Sequence, residues 1–197
     1  MRIVVGISGS TGVIYGIRLL QVLRQLPDME THLVMSNPAK QTVVLETDHT
    51  VDQVMQLAHQ VHPINDIAAA ISSGSFKTNG MAVVPCSMKT LSVIAHSFND
   101  NLLVRAADVT LKERRRLVIV PRETPVHLGH LRLMTQVAEL GAILVPPMPA
   151  FYHRPKTIDD IVNQTVGRVL DLLEIEHPDL FTRWAGATTH RRAAGES

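Results

Sequence analysis

A chain of 197 residues with a net charge of +1 and 45% apolar residues is sized for one core, and its charge balance gives no reason to expect nucleic acid or an anionic membrane as a partner. Its mean hydropathy of +0.11 is high for a soluble monomer, so spare apolar surface points to a homo-oligomer. The single cysteine, Cys86, excludes an intramolecular disulfide framework, no apolar run reaches the roughly 18 residues of a membrane span, and Met1 leads straight into a strand-like run without a signal sequence; together these predict a cytoplasmic protein.

The periodicity predicts a buried strand over 2–7, followed by the small-residue turn Gly6-Ile7-Ser8-Gly9-Ser10-Thr11-Gly12 and a helix over 13–26 that Pro27-Asp28 breaks. A second strand, 30–35, ends at Ser36, and Asn37-Pro38 opens a helix to Glu46. Residues 47–80 carry no clear period, and 72–76 read as a loop. A strand over 81–84 leads into Pro85-Cys86-Ser87-Met88-Lys89-Thr90, which opens a helix over 88–95. Then come a helix over 102–114, a strand over 116–120, a loop over 121–125, a helix over 127–140 and a strand over 142–145. Pro146-Pro147-Met148-Pro149 forces extended chain before a last helix, 157–173, with Thr157 as its N-cap. The expected organisation is one domain, 1–184, and a flexible tail, 185–197. Alternating strands and helices predict an α/β fold with a mostly parallel sheet and helices on both faces, its ligand at the carboxyl ends of the strands.

That rim collects the chemistry. Two turns that each end a strand and open a helix present unpaired N–H groups and positive dipole ends, which suits a phosphorylated ligand. Gly6, Gly9 and Gly12 lack dinucleotide spacing, and Ser36 stands where a ribose-binding acid would. Arg122-Glu123, between Pro121 and Pro125, offers a cation for a phosphate and a carboxyl for proton transfer; a solvated ion pair is the competing reading. Glu46 closes a helix, where a carboxylate is electrostatically misplaced, and Arg105 and Lys112 share one helical face. Cys86 is either a nucleophile or, more in keeping with the absence of a nearby histidine, a packed small hydrophobe. His127 and His130 have helical spacing but no third ligand, so no metal is expected.

Taken together, Gly9-Ser10-Thr11-Gly12, Leu45-Glu46-Thr47, Ile71 to Phe76, Pro85 to Thr90, Arg105 to Val109, Leu111 to Arg114, Val120 to Pro125 and Pro146 to Tyr152 resemble the UbiX/Pad family of flavin prenyltransferases, and within it the members associated with phenolic-acid and hydroxybenzoate decarboxylases. The resemblance implies a flavodoxin-like Rossmann fold, a dodecameric homo-oligomer, and transfer of a dimethylallyl group from dimethylallyl phosphate to N5 and C6 of reduced FMN without a metal. The product, prenylated FMN, would serve a UbiD-type aromatic acid decarboxylase. By position, Gly9, Ser10, Thr11, Ser36, Ser87, Met88, Lys89, Thr90 and Arg122 would contact FMN. Tyr152, Arg168, Lys112 and Trp184 would meet dimethylallyl phosphate, and Glu123, Glu46 and Lys112 would act in catalysis. One stretch departs from the family pattern: Arg132-Leu133 replaces a Glu-Asn pair, which puts local packing or a subunit contact in question.

Overall fold

The computed structural model describes residues 1–186; apart from its first two residues, the expected tail lies outside them. Six strands form one parallel sheet, β1 (Arg2–Ile7), β2 (Glu30–Met35), β3 (Gln60–His62), β4 (Gly80–Cys86), β5 (Arg116–Pro121) and β6 (Ile143–Leu144), in the order β3-β2-β1-β4-β5-β6. Without the three-residue edge strand β3, this is the 2-1-3-4-5 order of a flavodoxin-like fold. The helices are α1 (Val13–Gln25), α2 (Asn37–Glu46), α3 (Val51–Met55), α4 (Met88–Ala95), α5 (Leu102–Lys112), α6 (Leu128–Glu139) and α7 (Ile158–Leu172).

The sheet is covered on both faces, which is why its strands are near-continuous apolar runs. On one face Ile3, Val5 and Ile7 pack with Val13, Ile17 and Leu20 of α1 and Val162, Val166 and Leu170 of α7. On the other, Val4, Met81 and Val83 meet Leu91 of α4, Leu103 of α5 and Val137 of α6. Leu133 packs against this second layer, whereas Arg132 is exposed. Close packing of α1 on the sheet depends on Gly16: a Cβ there would lie 2.3 Å from the Val84 carbonyl oxygen.

Expected and observed elements differ mainly in 47–80. Thr50 and Gln53 form a reciprocal capping box that starts α3, a T-x-x-Q signal that a search for hydrophobic period does not detect. β3 is too short to show a period. β4 runs past Val84 to Cys86 because its pairing with β5 shifts register between Val83 and Cys86, which lets Pro85 sit at the end of a central strand.

The neighbours of β1 diverge, β2 to one side and β4 to the other. At such a switch point the connections leave to opposite faces and open a crevice at the carboxyl ends of β1 and β4, where both small-residue turns lie.

Candidate active site

Ser8 joins the two turns. It is 1% exposed; its Oγ accepts the Ser87 N–H at 2.8 Å and donates to the Pro85 carbonyl at 3.3 Å, while its own N–H donates to the same carbonyl at 3.1 Å. The Ser36 N–H donates to Ile7 O at 3.0 Å and the Arg122 N–H to Cys86 O at 3.1 Å, so the ends of β2, β1, β4 and β5 are held in one row.

Two hydroxyls along this row serve as helix caps, and the Thr90 hydroxyl keeps its proton. Ser36 Oγ accepts from Ala39 N at 3.1 Å and Ser87 Oγ from Thr90 N at 3.3 Å, capping α2 and α4. Ser87 Oγ donates to Thr90 Oγ1 at 3.1 Å, which leaves the Thr90 proton for an outside acceptor. Ser10 Oγ is buried with no hydrogen-bond partner, an arrangement that a phosphate oxygen would satisfy. Gly9 keeps the turn against α2, since a Cβ there would come within 2.3 Å of Pro38 Cβ. Met88 is nearly buried on the first turn of α4, and Lys89 beside it is exposed.

Glu46 accepts the Gly12 N–H on Oε2 at 2.8 Å. The carboxylate that looked misplaced at the end of α2 thus stands at the positive start of α1. A cleft of about 490 Å³ opens beside it, lined among others by Thr11, Gly12, Tyr15, Arg122, Glu123 and Met148. Burial pushes the Tyr15 hydroxyl above its ordinary pKa, partly offset by the positive charge of Arg122. Glu123 is exposed and accepts the Thr124 N–H at 2.9 Å. Cys86 is fully buried, and burial pushes its thiol up; it packs as a small hydrophobe and is no nucleophile.

Three other expected residues gather elsewhere. The ring centroids of Tyr152 and Trp184 lie 5.9 Å apart, edge to face. Arg168 donates to Asp171 Oδ2 at 3.0 Å, and Arg183 binds the same carboxylate at 2.9 and 2.7 Å. None of these lines the Arg122–Glu123 cleft. Lys112 ends α5 just ahead of β5, at the amino edge of the sheet, 2.5 Å from Glu113 Oε1. Arg105 does not share an anion with it: its guanidinium goes to Ser72 O and Asp108, each at 3.1 Å. His127 caps α6 through Gly129 N, and among the described residues no group of three or more His, Cys, Asp or Glu side chains could hold a metal.

Sequence reading missed Ser8, Tyr15, Asp171 and Arg183 as parts of these clusters. Ser8 lay inside a turn already singled out, and a buried serine at the end of a central strand is a usable signal. Asp171 and Arg183 carried none.

A family model described as Flavoprotein matches residues 1–170. The chain is 64% identical over 187 residues to the flavin prenyltransferase UbiX of Escherichia coli K12, covering 94% of this chain and 99% of that protein. It is 61% identical over 186 residues to the flavin prenyltransferase UbiX of Thauera aromatica, covering 94% and 95%. Among solved structures, a dodecameric FMN-dependent UbiX-like decarboxylase from Escherichia coli O157:H7 superposes with a TM-score of 0.92 at 53% identity, covering 94% of this chain and all of that one. AnUbiX (PadA1), in complex with FMN and dimethylallyl pyrophosphate, superposes with a TM-score of 0.91 at 53% identity, covering 94% and 98%. A stitched pair of helix-opening turns at a flavodoxin-type switch point, in a chain this close to known prenyltransferases along nearly its whole length, belongs to the flavoprotein family and, within it, to the UbiX/Pad flavin prenyltransferases.

Proposed function

We propose that this protein joins the dimethylallyl group of dimethylallyl phosphate to reduced FMN, and that the product serves a UbiD-type aromatic acid decarboxylase. The observation that carries the reading is the Ser8–Ser87 junction, which sets the starts of α1 and α4 side by side next to Arg122 and Glu123. The unpartnered Ser10 Oγ, the free Thr90 proton and the N-terminus of α4 fit the phosphate of a mononucleotide. The relatives support the substrates: AnUbiX was solved with FMN and dimethylallyl pyrophosphate.

Bound reduced FMN supplies the nucleophilic N5 and the neighbouring C6 to which the prenyl group is joined as phosphate leaves. The protein's part is to manage charge and protons. Arg122 stabilises developing negative charge near the cleft, and Lys112, Arg168 and Tyr152 do so from the donor side. Glu123 passes a proton to the departing phosphate and takes up the one that ring closure releases. Glu46 holds the turn at Gly12, and Tyr15 and Met148 line the cleft.

Tyr152, Arg168, Trp184 and Lys112 stand outside the cleft of their own protomer, so the site is completed by neighbouring copies of this chain. The dodecameric relative supports this assembly. We place the protein in the cytoplasm, in keeping with its single, buried thiol. Anaerobic incubation with reduced FMN and dimethylallyl phosphate tests the activity: inorganic phosphate is released only when both are present. Release without flavin, or none with both, contradicts it.

A further inference from the structure

We propose that Asp171 and Arg183 form a latch that positions the chain after α7, and with it Trp184, on the dimethylallyl phosphate side of the site. This rests on the reading of Tyr152, Arg168 and Trp184 given above. After α7 ends at Leu172 the chain turns back along the helix. Phe181 lies against Gly167, where a Cβ would come within 2.5 Å of the Phe181 ring. His153 stands edge to face with Phe181 at 6.5 Å and with Tyr152 at 5.5 Å. The returning segment is therefore seated on α7 and on the Tyr152 loop together.

One carboxylate organises the seat. Asp171, with its side chain 19% exposed, receives Arg183 on both oxygens and Arg168 on Oδ2, and His177 Nε2 lies 3.2 Å from Oδ1. The Arg183 pair is a two-pronged, charge-assisted contact, the geometry that fixes direction as well as distance. Trp184 is the next residue, so orienting Arg183 orients the indole that meets Tyr152 edge on. Arg168 shares Oδ2 with Arg183, whose Nε also lies 3.8 Å from Asp179 Oδ1. Arg168 can turn to a phosphate while Asp171 remains paired through Arg183. Asp171 and Arg183 are thus positioning residues: they act through Trp184 and Arg168.

Trp184 is the only tryptophan in the chain, so its fluorescence reports the latch without reference to catalysis. In Arg183→Gln, where Arg168 still pairs with Asp171, and in Asp171→Asn, Trp184 anisotropy falls and acrylamide quenching rises. The KM for dimethylallyl phosphate rises roughly tenfold, the scale of losing one charge-assisted bidentate pair, while kcat changes less than about twofold. Wild-type fluorescence in both variants overturns the latch; altered fluorescence with wild-type KM overturns its link to the donor side. If the wild-type protein itself leaves the flavin unmodified, the prenyltransferase reading fails, and the latch is still judged on fluorescence alone.

Discussion

Arg122 and Glu123 are neighbours in sequence to which the proposed reaction gives separate duties. Arg122 is anchored by its backbone N–H to Cys86 O and shares its cleft with Tyr15. Glu123 is exposed and accepts the adjacent Thr124 N–H on Oε1, which leaves Oε2 for proton transfer. Glu123→Gln keeps the shape and removes the titrating group. It lowers turnover on the order of 10²- to 10⁴-fold while FMN binding, followed by flavin fluorescence, stays at the wild-type level; an unchanged rate rules out the proton-transfer role. Local residues of this kind were legible in the sequence because a turn between a strand and a helix concentrates them in one short stretch. Ser8 and Ser87 are 79 residues apart, and no local pattern announces that one receives the other's N–H. Glu46 was legible as an anomaly only: its partner, Gly12, is 34 residues away.

Elements reveal themselves when they are long enough to repeat. β1, β2 and α4 fall where their apolar patterns place them, since both faces of the sheet are buried and the strands read as Val/Ile/Leu runs, and α2 falls where Asn37-Pro38 opens it. β3 is three residues long, below any period. The contact of α1 with β4 gives a test of packing. Gly16→Ala gains the ~1 kcal/mol of helix propensity that alanine has over glycine, yet its Cβ would sit 2.3 Å from a backbone oxygen. Shifting α1 costs about 1–3 kcal/mol and more when backbone must move, so urea denaturation shows a net loss; a stabilised variant contradicts the packing. The β2–β3 edge gives a test of pH. His32 Nδ1 and His62 Nε2 lie 2.9 Å apart, with the rings stacked and Phe76 edge-on. Burial first, then the charge of His32, lowers the His62 pKa from its ordinary 6.5, with Asp66 pulling slightly the other way. A histidine lowered on folding takes up protons on unfolding. Its contribution is present above its ordinary value and is lost as the pH falls. Urea stability therefore declines from about pH 7 to about pH 5, and His62→Gln flattens that decline; an identical slope in the variant removes His62 as its source.

At the scale of the whole molecule, the fold follows from alternating strands and helices, whereas the site is divided. The rim from Ser8 to Arg122, the proposed flavin side, forms within one protomer. Outside that cleft Tyr152 meets Trp184 and Arg168 meets Asp171, and Lys112 stands at the opposite edge of the sheet. A sequence orders residues along one chain, so it could name these residues through resemblance to a family but could not show that they lie in separate clusters. The surplus of apolar surface, including exposed Leu128, Met148, Phe151 and Ile158, accords with copies that bury one another's faces and bring those clusters together. The most direct test is the mass of the flavin extracted after anaerobic incubation of the protein with reduced FMN and dimethylallyl phosphate. Flavin prenylation predicts a flavin heavier by one dimethylallyl unit; recovery of unmodified FMN alone contradicts it.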